Sequence, residues 1–241
     1  MSEEYVSAGY YLAKPSPRAE YMSSELIPEQ ILSASGCICE FFPDYWAIEW
    51  ASVSDQERSR AAGSFGIAPD KLGGVIEWAT KNLSSAFGWP SAFYTLEAAK
   101  QAYAALLPPN MNVVVFGLGL HKADVDDFLE AAQPPKTKEG FAPAGETGIY
   151  QCVKGNRPIS TGGEFTGFEL LSTTYGLLTC SWLCNGLEND CARKLGISTN
   201  ANGLVGTRSD ALTCAEFISR DEVGAEPGLW LPWRVTIYAA Q

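Results

Sequence analysis

The sequence predicts an α+β fold of mixed, largely antiparallel sheets packed with helices, and it admits two related strand-helix-helix-strand halves. Three observations predict this. Short runs rich in aromatic and β-branched residues alternate with stretches of helical period. Capping signals stand in front of the helical stretches, at Ser54-Asp55-Gln56-Glu57, Thr95 and Thr207-Arg208-Ser209-Asp210. Each half also closes on an apolar run, residues 111–120 and 229–239.

The elements follow in order. Residues 5–13, 36–42 and 45–51 read as strands, separated by Pro15-Ser16-Pro17 and Pro43-Asp44. Ser54 opens a helix that should fade at Gly63 or Gly66. Residues 75–83 place Val75, Trp78, Ala79 and Leu83 on one helical face. The clearest helix of this half is 96–107, capped by Thr95 and stopped by Pro108-Pro109. Val113-Val114-Val115-Phe116 then forms the centre of a buried strand. Asp124, Asp126 and Asp127 suit the positive end of a short helix that follows it.

The halves divide at residues 1–135 and 149–241. Between them, 136–148 is linker-like: with Gln133-Pro134-Pro135 before it, the stretch 133–148 is polar and holds three prolines and three glycines. Residues 149–153, 167–172 and 177–183 read as strands, and Asn185 is the expected cap of a helix over 186–195 ending at Gly196. Thr207 opens the next helix. The closing strand over 229–239 contains Pro232, which confines its start to an edge or a bulge. Both halves thus run from a Trp-bearing strand through a helix, Gly-Ile, a loop and a helix to an apolar strand.

Composition bounds the function. With 46% hydrophobic and 19% charged residues the 241-residue chain is an ordinary globular protein. No apolar run approaches the roughly 18 residues of a membrane span. Met1-Ser2-Glu3-Glu4 carries acids where a secretory leader needs a basic start, so a cytoplasmic chain is expected. Seven cysteines, an odd number, fit free, buried thiols in a reducing compartment. The net charge of −11 disfavours nucleic acid and anionic membranes and favours a basic protein partner.

The candidate motifs have plain alternatives. Cys180 and Cys184 have zinc-like spacing, but neither Cys191 and Cys214 nor the lone His121 completes a second pair, so they read as small buried residues and no metal site is expected. Cys37 and Cys39 would share one face of a strand, and the core reading again prevails. His121 ends the best strand, where a general base could sit, yet no nucleophile is paired with it in sequence. Gly117-Leu118-Gly119 lacks the third glycine of a dinucleotide loop, since Lys122 stands there. No cofactor is implied. Phe87, Trp89, Phe93 and Tyr94 crowd a Gly/Pro/Ser-rich loop, either plugging it onto the core or forming a recognition patch.

The expectation is therefore a non-enzymatic protein-binding protein, with the general profile of an immunity-type inhibitor of a basic toxin. The alternative is an enzyme with an unfamiliar site that uses His121 or a cysteine such as Cys184.

Overall fold

In the computed structural model the described residues are 4–43, 54–64, 66–108, 111–133 and 146–240. The strand expected at 45–51, Pro109 and most of the linker-like segment lie outside them.

Four long strands lie side by side in the order β1 (Tyr5–Lys14), β7 (Val114–His121), β10 (Leu229–Tyr238) and β8 (Glu164–Thr174), all antiparallel. The short strands β4 (Glu40–Phe41), β5 (Phe87–Gly88) and β6 (Ala92–Phe93) gather at the β1 edge, and β9 (Leu177–Ser181) extends the β8 edge. A separate ribbon pairs β2 (Ser16–Pro17) with β3 (Gln30–Ile31). The ladder from Trp233–Leu120 to Tyr238–Val115 joins the two halves of the chain into one sheet. That ladder begins one residue after Pro232, so the proline stands where β10 has not yet met β7.

Seven α-helices are seen among the described residues: α1 (Asp55–Ser64), α2 (Leu72–Asn82), α3 (Leu96–Leu106), α4 (Val125–Ala131), α5 (Gly148–Lys154), α6 (Leu187–Leu195) and α7 (Arg208–Ile218). Their starts follow local chemistry. The Glu57, Ala98, Tyr150 and Asp210 backbone N–H groups donate to the hydroxyls of Ser54, Thr95, Thr147 and Thr207 at 3.1–3.2 Å.

Side-chain alternation sorts these helices onto two faces of the sheet. Tyr10, Leu12, Val115 and Tyr238 meet α1, α2 and α3, while Phe168, Leu170 and Trp230 meet α6 and α7. The opposite face carries Tyr11, Phe116, Leu118, Trp233 and Leu171, covered by α4 and α5. The halves repeat a pattern: α3 precedes β7 beside β1, and α7 precedes β10 beside β8. Aligned on Thr95 and Thr207, Ala99 matches Ala211 and Ala102 matches Cys214, all four buried.

Three local expectations need correction. Residues 149–153 form helix α5, because Thr147 caps them and Ile149, Cys152 and Val153 share one helical face. Residues 35–39 form a turn, and only Glu40–Phe41 of the run 36–42 is strand. The last turn of 177–183 is a 3-10 helix, Trp182–Asn185, followed by left-handed Gly186, which takes the place expected of Asn185 before α6. Among the described residues no helix is long and apolar enough to cross a membrane.

Candidate functional site

Glu169 on β8 has no exposed surface, yet it accepts the Ala34 backbone N–H at 2.9 Å and the Ser33 hydroxyl. Burial raises its pKa, while Ser33, Ala34 and Ser181 oppose the rise by hydrogen bonding to the charged form. One buried carboxylate thereby ties the segment around Ser33 to the end of β9.

Two local devices then bring three thiols together. The Ser35 carbonyl accepts the Ile38 and Cys39 N–H groups at 3.0 and 3.1 Å, and the Ser35 hydroxyl accepts that of Cys37 at 3.3 Å. This turn sends Cys37 outward, where its thiol meets the Thr179 carbonyl at 3.5 Å, while Cys39 points into the core. On the facing segment the Ser181 hydroxyl accepts the Leu183 N–H at 3.3 Å and starts the 3-10 turn that carries Cys184 back towards Cys180. The Sγ atoms of Cys37, Cys180 and Cys184 all lie within 4.8 Å of one another.

The electrostatics differ across the trio. A hydrogen bond from the Cys184 thiol is the main reason that the Cys37 pKa falls to about 6, and the same bond pushes Cys184 up. Burial raises Cys180 to about 11. The Ser35 hydroxyl lies 3.8 Å from the Cys184 sulfur. None of the seven cysteines is in a disulfide, but Cys37 is exposed and Cys184 half-buried, which corrects the expectation of uniformly buried thiols. The zinc reading of Cys180 and Cys184 lacked a partner in sequence because the third thiol comes from a distant turn. Ser35-Gly36 before Cys37, a pair of turn formers, was the signal available.

A cavity of about 650 Å³ borders this turn at Gly36 and Cys39 and reaches β9 at Thr179. Its apolar lining includes Tyr11, Ile149 and Leu178, and its charged lining is Glu40, Glu57 and Arg60. Arg60 lies 3.9 Å from Glu57, and Glu40 lies 3.9 Å from Lys14.

Compared with known proteins, the chain matches no family model, no curated protein and no solved structure. The reading of the site therefore rests on its geometry.

The aromatic loop divides. Phe87 and Phe93 have no exposed surface and pack in the core with Trp78, so neither can face a partner. Trp89 and Tyr94 are half-buried, with the Tyr94 hydroxyl donating to Gln151. His121 accepts the Ala123 N–H at 3.1 Å through Nδ1 and meets the Tyr5 ring edge-on. It is a cap and a packing group, and it does not line the cavity. Asp124 is no simple helix-end charge. Both its carboxylate oxygens accept from Arg208 at 2.8 Å, which clamps the exit of β7 to the start of α7. Cys191 and Cys214 are buried between α6 and α7.

Proposed function

We propose that the protein acts by binding a basic protein partner, an immunity-type inhibitor that covers the active site of a basic toxin being its most specific form. The observation that carries this reading is the excess of 28 acids over 17 bases, combined with a cavity that has apolar walls and two glutamates in its lining. Such a cavity suits the side chain of a lysine or arginine: its methylenes would lie along Tyr11, Ile149 and Leu178, and its head would reach Glu40 or Glu57. Each glutamate already has a base 3.9 Å away, Arg60 beside Glu57 and Lys14 beside Glu40; Glu40, the more exposed of the two, is the more accessible anchor.

Capture of partners from native lysate on immobilised protein is the test, followed by binding kinetics on the captured partner. A basic partner is expected. Its association should slow as salt rises while dissociation changes little, and Glu40→Lys should slow association further. An association rate indifferent to both salt and Glu40→Lys overturns the reading. The enzyme alternative finds its better support in the cysteine cluster, since His121 caps a turn through Nδ1 and lies outside the cavity lining.

A further inference from the structure

We propose that Cys37, Cys180 and Cys184 form a site for one thiophilic metal ion, zinc foremost, held by three thiolates with a fourth position open towards solvent. This goes beyond the partner-binding reading and is independent of it. The ligand set decides the class of ion: three sulfurs and no imidazole select zinc or copper(I) over magnesium or calcium.

The distances fit with small adjustment. A zinc–thiolate bond of about 2.3 Å in tetrahedral geometry sets sulfurs roughly 3.8 Å apart. The three Sγ atoms already lie within 4.8 Å of one another, and Cys37, which sits on an exposed turn, is the one free to close the gap. Cys180 and Cys184 come from a strand end and the turn after it, so their spacing is fixed by backbone.

The surroundings complete the site. The Glu226 carboxylate is within reach of the Cys180 thiol, and the Glu226 carbonyl accepts the indole N–H of buried Trp230 at 3.1 Å, which anchors its backbone. It or a water can supply the fourth ligand. The Ser35 hydroxyl beside Cys184 and the Thr179 carbonyl beside Cys37 are positioned to orient the sulfurs, as outer groups do in metal sites. Binding needs all three sulfurs as thiolates, so each ion taken up releases the protons that the sulfurs still carry at the working pH.

The test uses the full chain, purified without metal affinity, reduced and stripped with chelator, then titrated with cobalt(II) as a spectroscopic probe and zinc as competitor. One equivalent of cobalt is expected to give sulfur-to-metal charge-transfer and tetrahedral ligand-field bands, and zinc should abolish them. Cys37→Ser, at an exposed position that does not threaten folding, should lose stoichiometric uptake, and Cys152→Ala should keep it. No thiolate band at one equivalent, or a band that survives in folded Cys37→Ser, overturns the proposal. So does reduced protein that takes up neither ion but forms a Cys37–Cys184 disulfide in air, which would make the cluster a redox pair.

Discussion

Glu169 and Ala34 lie 135 residues apart in the chain, yet the buried carboxylate of one accepts the backbone N–H of the other at 2.9 Å. This bond, with that from the Ser33 hydroxyl, holds the thiol-bearing turn against β8. Removing the carboxylate leaves those donors inside the protein without an acceptor. Relief of carboxylate burial offsets part of that cost, but the partners remain, so the loss prevails. Glu169→Leu is expected to cost about 2–3 kcal/mol in urea unfolding. An unchanged midpoint would show that the turn stands without Glu169.

The same group gives a pH signature. Its folded-state pKa lies above the ordinary glutamate value, chiefly through burial. Its contribution to stability is then full below that ordinary value and is lost as pH rises through the folded value. Glu169→Gln cannot titrate and removes this component. The stability of the natural protein relative to Glu169→Gln should fall as pH rises across that window and level off above it. A difference that is flat, or that grows with pH, refutes the assignment.

Strand β7 fixes the centre of the sheet, and its positions are not equivalent. Phe116 is buried, stacks on Tyr11 with centroids 5.3 Å apart, and touches Phe41. Phe116→Ala should cost about 3–5 kcal/mol. Val114 lies in the same apolar run but is half-buried, so Val114→Asp should be tolerated better than a charge at Val115. Thermal melts of the three variants give the order directly.

What was legible in sequence was local. Thr95 and Thr207 could be read as caps because each accepts from a residue three positions on. The apolar run at Val113–Phe116 announced strand β7 but not its extent: the strand starts at half-buried Val114 and its buried stretch runs on to Leu120, so the run marks its beginning and not its centre. Long-range convergence was not legible. The spacing of Cys180 and Cys184 was visible, but Cys37 joins them only through a turn, a 3-10 helix and a buried carboxylate acting together, and no spacing in the chain encodes that. Helix α5 was misread because Ile149-Tyr150-Gln151-Cys152-Val153 suits strand propensity while Thr147 caps it as a helix.

Two glycines meet where α5 docks. A Cβ on Gly148 would stand 2.7 Å from the Gly88 carbonyl oxygen, and one on Gly88 would stand 2.3 Å from the Gly148 Cα. These are backbone neighbours and cannot swing aside. Either Gly→Ala change should destabilise by about 1–3 kcal/mol, the usual range for overpacking. The double variant should cost less than the sum, because one intrusion already separates the segments. Additive losses in a double-mutant cycle would mean that the two sites do not share this contact.

Trp89 separates structure from recognition. It is half-buried, and its carbonyl accepts the Gly148 N–H at 2.7 Å, so its backbone is held whatever its ring does. Trp89→Ala therefore tests the ring alone. If the ring anchors the basic partner, the change should speed dissociation and cost about 2 kcal/mol or more of affinity, with the melting temperature little altered. Rising salt should act on the other rate, slowing association through the acidic surface. The two effects should combine independently, since one acts at a central apolar contact and the other on long-range steering. A fall of several degrees in melting temperature, with affinity intact among folded molecules, would assign the ring to the core beside Phe87 and Phe93. The partner would then have to be held at the cavity, by Glu40 and the apolar lining around Tyr11, without help from Trp89.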